Sequence, residues 1–298
     1  MNDTIPPKRI FPSSKIDAQA ARHVPSSPQT ESDAYKLAFQ DMDFLLREDL
    51  RPVRFQLELL KPELFLKQAN IASTFVFYGS ARIPEPSKAD ALVAAATNDQ
   101  QRQIAERLKA KSHYYEIARK LAHLASTCDC DEDGMRHFVV CSGGGPSIME
   151  GANRGAAEAG KESIGLNIVL PHEQLPNSYV TPELSFQFHY FALRKMHFLL
   201  RARAVAVFPG GFGTFDEFFE LLTLIQTGKV RPLPILLFGR DFWTRIVDFE
   251  GLAEEGVIAP HDLDLIHWSE DADEAWDYVT HFYERNPQPA RVQTSPPE

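Results

Sequence analysis

The sequence predicts a doubly wound α/β protein with a mainly parallel sheet and an N-terminal helical extension. Three observations carry that expectation. From residue 72 onward, short apolar runs alternate with amphipathic stretches of ten or more residues, and strands joined through helices of that length are crossover connections. Three of the apolar runs end in glycine-bearing loops, at 79–82, 142–146 and 209–214. The composition, 44% hydrophobic and 24% charged over 298 residues, is that of a globular chain able to bury a core without metals or crosslinks.

The elements follow in order. Residues 1–31 are rich in Pro, Ser and Ala, lack a sustained hydrophobic period, and are expected to form a flexible tail, as are residues 286–298. From Ser32 the apolar residues Tyr35, Ala38, Phe39, Met42, Leu45 and Leu46 recur at three- and four-residue steps, a helical period. A second helix covers 53–68, where Pro62 is expected to kink or divide it. Together 32–71 form the helical extension. The run 74–78, TFVFY, reads as a buried strand, and the polar, Ala-rich segment 87–111 as a helix merging into another over 113–126. Strands are then expected at 138–142, 163–171, 184–191, 204–208, 234–238 and 263–268, and helices at 146–160, 194–201, 215–227, 241–254 and 271–285. No internal repeat is visible.

Lys and Arg number 31 against 41 Asp and Glu, a net charge of −10. That excludes a general nucleic-acid binder, which needs a basic face, but allows a small anion held by backbone N–H groups. Cys128, Cys130 and Cys141 have no second CxxC or His pair to complete a zinc site. They read as buried or incidental thiols in a reducing compartment, and neither metal nor cofactor is expected. The N-terminus has no apolar signal region, and no run approaches 18 apolar residues. A soluble, cytoplasmic protein without membrane contact is expected.

In a parallel sheet the three glycine loops, Gly79-Ser80-Ala81-Arg82, Ser142-Gly143-Gly144-Gly145-Pro146 and Pro209-Gly210-Gly211-Phe212-Gly213-Thr214, lie at the carboxyl ends of strands. Open α/β sheets bind ligands along that rim. In the third loop Gly210, Gly211 and Gly213 permit positive φ and close backbone approach. Thr214 begins the following helix, with Asp216 and Glu217 in its first turn, an arrangement suited to a phosphate. Neither a G-x-G-x-x-G nor a G-K-[ST] signature is present, which demotes NAD and ATP. A tight strand-to-helix turn would explain one such loop, but three on one rim point to a site. Arg194 starts the helix before strand 204–208 and is expected to share a cleft with Glu217. A solvated helix-face role for each is the plainer alternative. His189 and His197 lack triad partners and read as core or surface residues. Asp216 is expected to face solvent or the helix dipole, and Phe212 to pack on a ligand ring or plug the loop.

Pro209-Gly210-Gly211-Phe212-Gly213-Thr214-Phe215-Asp216-Glu217 resembles the PGGxGTxxE motif of the LOG ("lonely guy") proteins, often misnamed lysine decarboxylases. Arg194-Lys195-Met196 resembles that family's Arg-Lys pair. Ser142-Gly143-Gly144-Gly145, with Met149 and Gly151-Ala152-Asn153-Arg154, resembles its second-strand glycine motif, and Gly79-Ser80 the loop after its first strand. Thr223 matches a ligand-contacting position of relatives. The resemblance spans 72–285, which it makes a Rossmann-like domain; the N-terminal helices and the 87–111 insertion resemble the larger, type II branch. It implies hydrolysis of a nucleoside 5′-monophosphate, AMP or a cytokinin riboside 5′-monophosphate, to free base and ribose 5-phosphate by a homodimer or higher homo-oligomer. It also implies catalysis by Glu217 and Arg194, and substrate binding by Gly79, Ser80, Gly144, Met149, Lys195, Gly210, Gly211, Gly213, Thr214 and Thr223. No pyridoxal-lysine motif supports the decarboxylase label. The helix dipole is expected to lower the pKa of Glu217, suiting a charge stabiliser or weak base. Two alternatives stay open: a non-catalytic nucleotide or cofactor carrier on the same fold, and a nucleosidase broad in purine and pyrimidine nucleotides.

Overall fold

The computed structural model of the chain describes residues 11, 13–128, 134–171 and 175–286. The first ten residues of the expected N-terminal tail, and the C-terminal tail from 287 on, lie outside them. The chain divides into two compact units, 1–60 and 61–298, and the division falls inside a helix.

The first unit contains helices α1 (Ser14–Ala20) and α2 (Met42–Leu45) and the start of α3 (Arg51–Gln68). Helix α1 lies within the stretch expected to be a tail; the Ser13 side chain caps it by accepting from the Ile16 N–H at 3.4 Å. The helical period after Ser32 does not produce one helix. It breaks into single turns at Asp33–Tyr35, Ala38–Gln40, α2 and Glu48–Leu50. Side-chain caps at Ser32 and Asp41 restart the backbone at the first and third of these turns. Pro62 neither divides α3 nor ends it.

The second unit is a seven-stranded, wholly parallel sheet with order β4-β3-β2-β1-β5-β6-β7. Its strands are β1 (Thr74–Tyr78), β2 (Val139–Ser142), β3 (Ile164–Ile168), β4 (Ser185–Phe188), β5 (Ala202–Val207), β6 (Ile235–Phe238) and β7 (His267–Ser269). Between them run α4 (Pro86–Ala94), α5 (Asp99–Lys109), α6 (His113–Thr127), α7 (Ile148–Glu158), α8 (Phe191–Leu200), α9 (Phe212–Gln226), α10 (Arg240–Ile246), α11 (Phe249–Glu254) and α12 (Ala272–Arg285). All of β1 is buried because both sheet faces are covered. Phe75 and Phe77 point into a core shared with α6, α7 and α12, whereas Val76 and Tyr78 point into one shared with α8, α9 and Trp243. The chain winds outward from β1 through β4 and then returns to β5 on the other side of β1. The carboxyl ends of β1 and β5 therefore flank the point where strand order reverses, the place where open α/β sheets bind ligands.

Several boundaries differ from the sequence reading. The segment 87–111 is two helices, because the Asn98 side chain accepts from the Gln101 N–H and caps a second start. The expected helix 241–254 is likewise broken by the Asp248 cap of α11. The first half of the expected strand 263–268 belongs to a 3₁₀ turn over Pro260–Leu265, where proline opens the turn, and the strand is only His267–Ser269. Cys128 is disulfide-bonded, unlike the thiol expected; Cys141 is a buried free thiol, and Cys130 lies outside the described residues. Among the described residues no helix is long and apolar enough to cross a membrane, and none of their His, Cys, Asp and Glu side chains group to hold a metal.

Candidate functional site

Two backbone hydrogen bonds lock the switch point. Phe208 N–H donates to the Tyr78 carbonyl at 2.8 Å, and Ser80 N–H donates to the Pro209 carbonyl at 3.1 Å. The loops after β1 and β5 thus leave the sheet side by side. The Ser80 hydroxyl then turns the first loop by accepting from Arg82 N–H at 3.0 Å.

The second loop is shorter than expected. Helix α9 starts at Phe212, with Gly211 as an N-cap that offers no side-chain oxygen. The N–H groups of Phe212, Gly213 and Thr214, the first of the helix, have no acceptor within it, and all three residues line the cleft. The glycines do not serve by positive φ here: Gly210, Gly211 and Gly213 all lie outside that region. Gly210 is required by space, since a Cβ there would sit 2.1 Å from Thr214 Oγ1, whereas Gly211 and Gly213 border open volume. Phe212, 97% exposed, does not plug the loop; it lines the cleft.

Glu217 is the sixth residue of α9, not a first-turn residue, and it faces α8. Arg194 of α8 donates from Nη1 to Glu217 Oε1 at 3.2 Å and from Nε to the Leu166 carbonyl of β3 at 2.7 Å. Its Cζ lies 5.0 Å from the centre of the Phe198 ring. Both side chains of the pair are only 12% exposed. The expected depression of the Glu217 pKa is reversed. Burial pushes this carboxyl up to about 7; Arg194 and Lys195 oppose the rise, while Asp216 and Glu220 add to it. The reason is position: one turn and a half into the helix the dipole has faded, and loss of water disfavours the ionised form.

A cleft of about 750 Å³ opens onto this pair. Of the expected site residues it is lined by Gly79, Ser80, Met149, Arg194, Gly210, Gly211, Gly213, Thr214 and Glu217. Three others stand elsewhere. Gly144 lies behind the wall in a left-handed turn, φ +70°, with its N–H on Ser142 Oγ at 3.0 Å. Lys195 points from α8 to Asp216 and Glu220, at 3.1 and 3.3 Å. Thr223 is exposed and donates to the Phe219 carbonyl at 2.8 Å; six residues beyond Glu217, it sits about 240° around the helix. Asp216 is 55% exposed and serves Lys195. His197 is buried 5.3 Å from the Phe188 ring, and His189 packs on Tyr190; neither lines the cleft.

Arg82, Phe215, Phe242 and Ile246 line the cleft without having been expected there. Arg82 was visible as part of the first glycine loop. Phe242 and Ile246 come from α10, and only the placement of β6 beside β5 brings them near. Gly143, not Gly144, touches the machinery: a Cβ on it would stand 2.6 Å from Arg194 Nη2 and 2.8 Å from Met149 Sδ.

Residues 149–279 match the family model described as possible lysine decarboxylase. A curated relative, the cytokinin riboside 5′-monophosphate phosphoribohydrolase LOG2 of Arabidopsis thaliana, is 24% identical over 153 residues, covering 50% of this chain and 67% of its own. Both matches agree with the resemblance of the chain's motifs to the LOG proteins. Solved structures similar to this chain include two of the molybdenum cofactor carrier protein of Chlamydomonas reinhardtii. One is 18% identical with a TM-score of 0.40, covering 71% of this chain and 99% of its own. The other is 18% identical with a TM-score of 0.41, covering 72% and 99%. The matched family region begins at Met149, beside the cleft, and contains both members of the Arg194–Glu217 pair.

Proposed function

We propose that this protein acts as a LOG-type enzyme and hydrolyses the N-glycosidic bond of a nucleoside 5′-monophosphate, AMP or a cytokinin riboside 5′-monophosphate, releasing free base and ribose 5-phosphate. The observation that carries the reading is a buried carboxyl titrating near neutrality, paired with an arginine, one and a half turns from a bare helix N-terminus. The curated relative's name supports the substrate class.

The N–H groups of Phe212, Gly213 and Thr214 hold the 5′-phosphate, which fixes the ribose over Glu217. Cleavage of the C1′–N bond builds positive charge on the sugar. Ionised Glu217 stabilises that charge and takes a proton from the water whose oxygen bonds to C1′, while the bond's electron pair and a proton go to the departing base. A base works best with a pKa near the operating pH, and burial supplies it here. Arg194 keeps the carboxylate aimed through its planar set of donors. Phe215, Phe242 and Ile246 give the base an apolar wall.

The decarboxylase description implies pyridoxal phosphate, whose Schiff base needs a lysine amine in the site. Among the described residues no lysine lines the cleft, so the side chains present do not fit that cofactor.

Incubation with AMP, GMP, CMP, UMP and isopentenyl-AMP, followed chromatographically, tests the reading. Base release confined to adenine nucleotides supports it. Release from all five points to the broad nucleosidase, and binding without release to a carrier.

A further inference from the structure

The wall behind Arg194 is built from backbone, and two asparagines hold that backbone. Asn153 of α7 is fully buried. Its Oδ1 accepts from Ser142 Oγ at 2.7 Å and from Asn177 Nδ2 at 3.0 Å. Its Nδ2 donates to Ser163 Oγ at 3.0 Å and to the Ile164 carbonyl at 3.4 Å. All four of its hydrogen-bonding positions are in use. Ser142 Oγ in turn accepts from Gly144 N–H at 3.0 Å. From the other side, half-buried Asn177 donates from its backbone N–H to the Gly144 carbonyl at 2.8 Å and from Nδ2 to the Gly145 carbonyl at 2.9 Å. The turn 142–145 is thereby gripped on both sides, and its free face is Gly143, in contact with the Arg194 guanidinium and with Met149.

We propose that Asn153 and Asn177 are positioning residues: they fix the glycine turn against which Arg194 presents its guanidinium to Glu217. The inference rests on the reading of that pair as the seat of turnover. Arg194 has two other neutral contacts, the Leu166 carbonyl on Nε and the Phe198 ring 5.0 Å from Cζ, and neither stops Nη2 from swinging toward Gly143. The glycine turn is the stop against that swing. Neither asparagine lines the cleft, so neither touches substrate.

The groups facing Glu217 are Arg194 and Lys195 from α8, Asp216 and Glu220 from α9, Tyr78 from β1 and Cys141 from β2. Arg194 is the strongest of those holding its pKa down. If the turn relaxes, Arg194 withdraws and Glu217 titrates higher, the other groups being unchanged. Asn153→Ala leaves buried Ser142 and Ser163 without their partner and can fail to fold. Asn177→Ala, at a half-buried position, is the decisive variant.

The experiment follows the Glu217 carboxyl carbon by NMR through a pH titration of the full-length protein, assigned with Glu217→Gln, and measures AMP kinetics in parallel. In Asn177→Ala the midpoint is expected to rise by at least about 0.5 unit. Turnover is expected to fall about tenfold with KM held within about twofold. An unmoved midpoint overturns the proposal, whatever the turnover, because a merely structural asparagine would lower the melting temperature alone. A moved midpoint in a protein that cleaves no nucleotide keeps the positioning role and removes the proposed activity instead.

Discussion

Arg194 Nη1 and Glu217 Oε1 stand 3.2 Å apart, with both side chains 12% exposed, and yet burial outweighs the arginine and leaves the carboxyl titrating near 7. The pair is not a simple stabilising bridge. Taking an acid and its partner out of water costs more than the contact returns, so the fold holds Glu217 in a state that favours proton exchange.

That imbalance has a stability signature. The folded carboxyl, near 7, lies above its ordinary value of 4.5. Between those values the folded chain holds a proton that the unfolded chain has released, so stability falls as pH rises from about 4.5 to about 7 and stays low above it. Glu217→Gln removes the titration. Its melting temperature, measured against the wild type, is expected to gain across that window, by an amount equivalent to about 1–3 kcal/mol. A difference independent of pH would contradict the burial argument.

The pH dependence of turnover carries the second prediction. With Glu217 acting as the base, kcat/KM for AMP is expected to rise with an apparent pKa near 7 and level off above it. A profile that falls through 7 would make the protonated form the active one.

Arg194→Lys tests the fork. The guanidinium reaches both the Leu166 carbonyl and Glu217, and an ammonium cannot serve both in that geometry. Turnover is expected to drop about 100-fold in kinetic assays, with nucleotide binding retained in calorimetry.

How far the sequence disclosed this site depends on which physics is local. The Pro209–Glu217 pattern placed a glycine turn, a helix start and a carboxylate on one rim, because turn chemistry and helical spacing are read within a few residues. The pKa of Glu217 was beyond such a reading: it follows from burial and from Arg194, which the fold brings from another helix. The start of α9 was placed late because Phe212 and Gly213 look like loop yet form its first turn. The strand order was open as well, since alternation implies crossovers without saying on which side of β1 the next strand falls.

Thr223 separates the family pattern from this geometry. Its hydroxyl is bound to its own helix and it faces away from the cleft. Thr223→Ala is therefore expected to leave AMP kinetics within about twofold of wild type. A large loss would bring Thr223 into contact with substrate.

Gly210→Ala should act through the phosphate. The added Cβ, 2.1 Å from Thr214 Oγ1, displaces the first turn of α9. The expected result is a KM for AMP raised about tenfold or more, together with a lower melting temperature; unchanged KM in steady-state assays would take the phosphate away from this loop.

Supplying AMP to the wild type and to Glu217→Gln, and quantifying adenine and ribose 5-phosphate together with AMP affinity measured calorimetrically for both, tests whether Glu217 drives cleavage. The prediction is equimolar adenine and ribose 5-phosphate from the wild type, and loss of at least about 1,000-fold in turnover for the variant with affinity retained. Equal turnover by the two proteins would contradict the assignment of Glu217 as the group that drives cleavage.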